Sequence, residues 1–488
     1  MEQVESFATA VAVVALAGIA AVLSNRLSRL LRVPAAAFFL VAAAVAADLV
    51  PVLRDLSIGI AQEVVSLALV VVLFNGGLDL GWRRLRPNAG SVVWIGTLGT
   101  FATAAVMAYA ARLLGFDWTS ALLLGTALAP TDPAVVFSVL GSKEIRGRAG
   151  PLLLGESGAN DPVGIALMAG LLGAAGGSTA ARAGEVAVVF AEQMAIGAVL
   201  GVVGGLVIKA FMQRVPLPSE GLYPLRSLAC AFALYGLATM AHGSGFLSVF
   251  VAGILLGDAR APYKAEIERF HAALASLAEI VAFALLGLTV PLWTFAGRDA
   301  WGAGVALAVV LALVARPAVM ALLLWPLRLR RGETVFVAFA GLKGAVPILL
   351  GSFALSAHQP QGERIYDVVA LAVAFSVVVQ GSLLPLVARW CRIPMRAGEL
   401  EPWALGIRLR NRPEGVRRVT VCRGAPADGS AIGDLDMGEH VWVSLVVREG
   451  TLVSGRPSAR LEAGDDVLLM FDPEQAEPDD VVRLFTDT

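Results

Sequence analysis

Charge is what this sequence has least of. Only 16% of its 488 residues are Asp, Glu, Lys or Arg, where soluble domains carry about a quarter. A chain this long would otherwise divide into two to four soluble domains, but so few charges cannot cover their surfaces. With 57% apolar residues and a mean hydropathy of +0.75, disorder, a collagen-like rod and a small disulfide scaffold are excluded too. Cysteine is nearly absent. Cys230, Cys391 and Cys422 are too far apart for a ligand spacing or a disulfide framework, and read as packing residues. There is no HExxH and no Cys/His cluster, so zinc chemistry is not expected. His242, His271 and His358 are placed at loop edges. No Walker loop offers ATP drive, and no strand precedes the GGSTAARAG stretch. No basic domain or aromatic–basic stripe points to nucleic acid. The net charge of −1 hides an asymmetry: residues 1–400 carry 28 basic and 23 acidic side chains, residues 401–488 carry 10 and 16.

What the chain has instead is apolar runs. A hydrocarbon core needs about 20 apolar residues per helix. Reading for such runs gives thirteen, near 6–23, 33–50, 58–80, 89–111, 118–140, 150–174, 184–211, 223–241, 244–257, 271–294, 299–326, 333–356 and 366–388, the ninth of them short. No basic stretch precedes the first run and no A-x-A site follows it, so it is expected to be a retained helix. The loop after each odd run carries three Lys or Arg, from Arg26, Arg29 and Arg32 to Arg389, Arg392 and Arg396. Loops after even runs carry at most one, such as Arg54, Arg112 or Arg298. By the positive-inside rule the N-terminus is outside and the C-terminus cytoplasmic. Arg226 counts among the loop residues, leaving Arg316 and Lys343 as the basic residues inside runs. Residues 1–395 are expected to form an all-α polytopic membrane domain of about 13 helices. Residues 396–415 read as a linker, and 416–488 as a small α+β cytoplasmic domain. In that tail, HVWVSLVV is a strand, and RLEAGDDVLLMF reads as strand, tight turn, strand.

An ionisable group inside a span costs roughly 2.5–3.5 kcal/mol on insertion scales and marks function by default. The fifth run contains APTDP, with prolines bracketing Thr131 and Asp132. Each proline removes a donor and clashes one turn back, so the backbone should break at membrane depth, which only a protein-lined or wet cavity tolerates. A plain kink with Asp132 satisfied locally is the simpler alternative. In the sixth run, GESGANDP, Ser157 and Asp161 share one face and Glu156 and Asn160 the next. A hydroxyl and a carboxylate one turn apart offer two oxygen ligands to a hard cation; a polar knot gluing helices is the alternative. The twelfth run, GLKGAVP, again reads as broken, with Lys343 in the break. Four lysines stand against 34 arginines, so a lysine there is not drift, although snorkelling to the interface would also place one. Arg316, in the eleventh run, is expected to form a structural ion pair with Glu156. Glu63, Glu192 and Glu279 read as helix-end or interhelical contacts, one of which could line a cytoplasmic funnel. Breaks in runs five and twelve are seven apart, which points to two inverted six-helix repeats around a transport site.

APTDPAVV, GESGANDPVGIAL and GLKGAVPILL, in this order, resemble the monovalent cation/proton antiporters of the NhaP and sodium/proton exchanger type over about residues 5–395. The tail, with REGTLVSGRPSARLEAGDDVLLMF, is similar to TrkA/RCK-type C-terminal regulatory domains. Together they look like NhaP-type potassium/proton antiporters of a bacterial inner membrane, linked to pH, cation and cell-volume homeostasis. The resemblance implies that Asp161 takes either a proton or a cation, with Asn160 as its partner. Ser157 and the Thr131 backbone would complete the metal-ion shell, Asp132 close by. It also implies a homodimer. The small acidic tail could itself sense a nucleotide or an ion, or dimerise, and regulation by a small cytoplasmic ligand is expected of it. Two positions depart from the pattern: Asn75 stands where relatives often have an acid, and Lys343 where arginine is usual, which leaves Lys343 a role in charge compensation or pH sensing.

These residues suggest a mechanism. Proton and cation compete for one desolvated carboxylate, as at any protonatable metal ligand. A bare charge is costly to move, so the site crosses occupied by one or the other. An Asn–Asp pair offers one titrating acid, hence one proton per K+ or Na+, no net charge and no cofactor. No catalytic residues are expected. A gated cation channel is the competing class; it needs a filter loop that the sequence lacks. An intramembrane aspartyl enzyme would need a G-x-G-D stretch, which is also absent.

Overall fold

The computed structural model describes residues 35–49, 53, 57–140, 143–145, 147–174, 179–259, 261–290, 300–397, 415–438, 440–448, 451–453, 456–471 and 478–486. The first apolar run, its flanking arginines and most of the 396–415 linker lie outside them, as do Arg54, Arg146, Arg260 and Arg298. The chain divides into two units, Met1–Gly398 and Glu399–Thr488.

In the first unit, helices occupy the runs from the second onward. They are α1 (Ala35–Leu49), α2 (Ile58–Leu85), α3 (Ala89–Leu113), α4 (Trp118–Leu128), α5 (Pro133–Leu140), α6 (Ala149–Gly173), α7 (Thr179–Arg214), α8 (Leu222–Met240), α9 (Gly245–Gly257), α10 (Lys264–Leu288), α11 (Ala300–Val310), α12 (Arg316–Leu324), α13 (Arg331–Phe339), α14 (Ala345–Ser356), α15 (Gly362–Phe375) and α16 (Gly381–Trp390). Among the described residues five continuous stretches are long and apolar enough to cross a membrane: 58–113, 183–214, 264–288, 300–327 and 362–390. The pair α4 and α5, bent by 40°, makes a sixth. The apolar sides of α7, with Val199, Val203 and Val207, stay exposed, as suits a surface facing lipid rather than water. By contrast, α6 is buried along most of its length, which is where a helix carrying two acids must sit.

Two pairs of short helices replace two long ones. Asp117 caps α4, accepting from Thr119 N and Ser120 N at 3.0 and 3.1 Å, and α4 ends before Pro130. Pro133 opens α5 at the position where its missing N–H costs nothing. Further along, Glu333 reaches back to Arg330 N at 3.2 Å to cap α13, and the chain unwinds from Ala340 to Gly344 before α14 begins. Two π-helical turns flank this second break in sequence: Leu311–Ala315, just before Arg316, and Ser376–Gln380, between α15 and α16.

The first unit is not wholly helical. Strand β1 (Lys143–Ile145) pairs antiparallel with β2 (Met395–Ala397), Ile145 opposite Met395. At the same end Arg148 donates to Asn88 Oδ1 at 3.2 Å and to the Leu327 carbonyl at 3.1 Å. Elsewhere Ser120 donates to the Pro360 carbonyl at 3.2 Å, and the Arg364 guanidinium lies 4.2 Å from the Phe116 ring centre.

Two placements differ from expectation. His271 is not at a loop edge: it is fully buried inside α10, 2.8 Å from Ser227 Oγ and against the Phe74 ring. The apolar run starts at 271, but the helix starts at Lys264, its polar first turns satisfied by Lys264 bonding Glu268 and the Leu256 carbonyl. Arg226 is not in a loop either. It lies within α8 and is 8% exposed, its guanidinium donating to the carbonyls of Val215 and Met212. Those are orphan acceptors at the end of α7, which a cation satisfies well.

The second unit is an antiparallel sheet of order β3-β6-β4-β5, with β3 (Val416–Thr420), β4 (Val441–Arg448), β5 (Thr451–Val453) and β6 (Asp466–Phe471), followed by helix α17 (Pro478–Thr486). Val419, Val446, Val467, Leu469 and Phe485 form its core. RLEAGDDVLLMF is not a hairpin. Its first limb makes only an isolated bridge, Arg460 to Ala431, and β6 pairs with β3 and β4 instead. Asp465 breaks the pattern: its carboxylate takes the Glu462 amide at 2.8 Å and two bonds from Arg448 at 2.8 Å. Arg448 therefore holds the Asp465 carboxyl below the usual carboxylate range.

Candidate functional site

The two breaks meet. Asp132 N donates to the Leu342 carbonyl at 2.8 Å, joining the unwound segment after α4 to the one after α13. A helix end leaves carbonyls unpaired at its C-terminus and amides at its N-terminus, and both breaks sit where water is scarce. Lys343 solves half of this: its Nζ donates to the carbonyls of Ala129 and Pro130 at 3.0 and 2.8 Å. Asp132 solves the other half, its Oδ1 accepting from Ala134 N at 2.8 Å at the start of α5. The Asp132 carboxylate also lies against Gly344, where α14 starts, and a Cβ on that glycine would collide with it. Negative charge thus stands at two helix N-termini and positive charge at a helix C-terminus, the arrangement the helix dipoles favour.

Helix α6 closes the site. Ser157 Oγ donates to the Thr131 carbonyl at 2.5 Å, and Asn160 Nδ2 to Thr131 Oγ1 at 2.8 Å. Thr131 N points back to Asn160 Oδ1 at 3.4 Å. Asp161 follows on the same helix, 7% exposed, and among the described residues no hydrogen-bond donor reaches its carboxylate. Asp132 and Lys343 act on it electrostatically. Pro162 removes the amide that would otherwise bond the Gly158 carbonyl one turn back. Glu156 lies beside this set in a two-bond ion pair with Arg316, 2.5 and 2.9 Å, both residues at most 3% exposed. Arg316 reaches it by crossing Gly341 of the second break, where a Cβ would occupy the guanidinium's place.

All eight residues singled out in the sequence, Thr131, Asp132, Glu156, Ser157, Asn160, Asp161, Arg316 and Lys343, therefore fall in one connected region. Asp161 and Ser157 share a helix face as their spacing requires, and Thr131 brings its backbone oxygen to Ser157. Sequence reasoning missed two participants and did not single out a third. The third is Glu279 on α10, which interacts electrostatically with Asp132; nothing in the sequence separates it from Glu63 or Glu192. Ser376 and Gln380 hold the second break; a serine and a glutamine one turn apart in an apolar run were the available signal. Among the described residues no group of three or more His, Cys, Asp or Glu side chains gathers as a metal centre. Ser157, Asn160 and Thr131, bonded to one another through hydroxyl, amide and backbone groups, are the neutral polar groups of this region.

Crossed half-helices with a buried, unshared carboxylate between them define a membrane transporter of the secondary type, in which broken helices carry the site. The sequence model described as "Sodium/hydrogen exchanger, transmembrane" matches residues 11–390, so the chain belongs to that family, whose members are transporters and not enzymes. It is 33% identical over 411 residues to the K(+)/H(+) antiporter NhaP of Alkalimonas amylolytica, covering 83% of this chain and 71% of that one. To the K(+)/H(+) antiporter NhaP2 of Shewanella sp. (strain MR-4) it is 28% identical over 423 residues, covering 86% and 73%. Its fold matches the sodium proton antiporter MjNhaP1 of Methanocaldococcus jannaschii with a TM-score of 0.65 at 22% identity, over 77% of this chain and 99% of that one.

Proposed function

We propose that this chain exchanges a monovalent cation, K+ or Na+, for H+ across a bacterial plasma membrane by alternating access, with Asp161 as the carboxylate the two ions share. The observation that carries this is the Asp161 carboxylate itself: buried, without a hydrogen-bond donor among the described residues, and set beside the place where the two breaks meet. In such surroundings desolvation favours the neutral acid and a bound cation favours the carboxylate, so each ion displaces the other. Ser157 and Thr131 supply the neutral oxygens of the cation shell, and Asp132 the field of a second carboxylate already occupied at helix N-termini. Because Asp132 is held in this way and Glu156 is matched by Arg316, one proton per cation and no net charge is the reading. The relatives named K(+)/H(+) antiporters support potassium as a substrate, and their antiport activity leaves the channel reading without support.

Contacts between loops bear on the topology. Residue 145 pairs with 395, and Arg148 bonds both 88 and 327. Each of these contacts requires an even number of crossings between its partners. The thirteen-span count gives eight, two and six, consistent with an outside N-terminus, a cytoplasmic C-terminus and two inverted six-helix repeats broken at the fifth and twelfth spans. The tail is read as a regulatory domain of the TrkA/RCK-C kind with a small ligand, and the assembly as a homodimer, both on family likeness. The decisive experiment reconstitutes the full chain in vesicles holding a pH dye. Cation-driven alkalinisation is expected from the native chain and none from Asp161→Asn; exchange persisting in that variant would end the assignment of the site.

A further inference from the structure

The second break is held partly by its own chain and the first break, and partly by the last span. Ala340 N still bonds the Phe336 carbonyl at 2.7 Å, Leu342 N bonds the Ala340 carbonyl at 2.8 Å, and the Leu342 carbonyl takes Asp132 N. Two further groups of the break, the Phe339 carbonyl at the end of α13 and the amide of Lys343, are bonded from the last span. Gln380 Nε2 donates to the first at 2.6 Å, and Ser376 Oγ accepts from the second at 3.1 Å. The two side chains are tied together, Ser376 Oγ donating to Gln380 Oε1 at 3.0 Å. The result is a closed relay in which both side chains donate and accept, buried at 3% and 5% exposure. It occupies a single π-helical turn, Ser376–Gln380, a geometry that is rare and concentrated at functional sites. The turn interrupts the last span where it meets the second break.

We infer that Ser376 and Gln380 are positioning residues that fix the second break and thereby aim Lys343 at the first. The lysine is held at both ends: its amide by Ser376, its ammonium by Ala129 and Pro130. Its ammonium serves two carbonyls at once, at 3.0 and 2.8 Å, so a displacement of about 1 Å at the ammonium takes these bonds out of range. The charged groups that act on the lysine are Arg316 on α12 and Glu156 and Asp161 on α6, and the Asp132 carboxylate lies against the adjoining Gly344. Loosening the anchor therefore changes the field at Asp161 without touching it. A merely structural cap would change yield and melting, not this field. The inference rests on the antiport reading and names what orients its site.

The test uses the full chain in pH-dye vesicles, with Ser376→Ala, Gln380→Leu, Ser376→Thr, Lys343→Ala and the double variant Ser376→Ala/Lys343→Ala. Ser376→Ala and Gln380→Leu should each slow exchange roughly tenfold, on the order of what losing the one buried bond to the break costs, and move the pH–rate profile toward that of Lys343→Ala. Ser376→Thr keeps the hydroxyl and should keep the native profile. The double variant should add nothing beyond Lys343→Ala, since residues acting through one another are not additive. Where Lys343→Ala leaves too little flux to measure, the same cycle is read as cation-induced thermal stabilisation. Multiplicative effects in the cycle, or slowed variants with an unmoved pH profile, overturn the inference. A native chain that shows no cation-dependent proton flux defeats the antiport reading instead, so the two failures are distinct.

Discussion

Glu156 and Arg316 carry full charges in a place nearly free of water, and each makes the other tolerable. The bidentate geometry lets the carboxylate and guanidinium satisfy one another. Removing one partner strands the other, at a cost of about 3–5 kcal/mol. Arg316→Ala is accordingly expected to lower the melting temperature of the detergent-purified chain and its recovery as a monodisperse peak. Replacing the pair together with leucine and methionine should restore most of the stability. Equal losses from the single and double replacements would contradict a desolvated pair. The pairing was readable from the sequence, because Glu156 and Arg316 are complementary charges in apolar runs and neither can stay alone. What was not readable was that the guanidinium passes over Gly341, so that the pair also packs against the second break.

At the scale of elements, the two broken helices depend on one another more than on their own sequences. Proline and glycine announce the breaks, since both act on the backbone next to them. Gly344 shows the limit of that reading. It looks like a helix breaker, but its φ of −109° is open to any residue; what the position requires is room for the Asp132 carboxylate. Gly344→Ala is expected to leave the helical content unchanged by circular dichroism and to cut exchange by at least tenfold, since overpacking here costs about 1–3 kcal/mol at the ion site itself. Native exchange rates in that variant would mean that Asp132 is free to move aside. The short clasp of β1 and β2 was equally hidden. Three-residue strands carry no period long enough to detect, and their partners lie some 250 residues apart in sequence.

For the whole molecule, an exchange that moves no net charge should ignore the membrane potential. Clamping vesicles at an imposed 100 mV is expected to leave the exchange rate within experimental scatter. One uncompensated charge would feel about 2.3 kcal/mol per 100 mV, a change too large to miss. The tail makes a separate prediction. Because Arg448 lowers the proton affinity of Asp465 in the folded state, that pair contributes stability above pH about 4, the range of a free aspartate. The contribution disappears as pH falls through the lower, folded value. In the full chain, amide exchange across β4 and β6 should rise as pH drops below 4, after correction for intrinsic rates. At neutral pH Arg448→Ala should speed it roughly five- to thirtyfold, and unaltered protection would show the pair to be idle. By itself the sequence determined where the chain is apolar, where its helices break and which charges lie at depth, because apolar length, proline, glycine and ionisation act locally. Only the tertiary structure decided that Lys343 caps a helix ending more than 200 residues earlier, that Asp161 is left unshared, and that Ser376 and Gln380 complete the second break. Those outcomes depend on which helix ends cross, and packing between distant elements sets that.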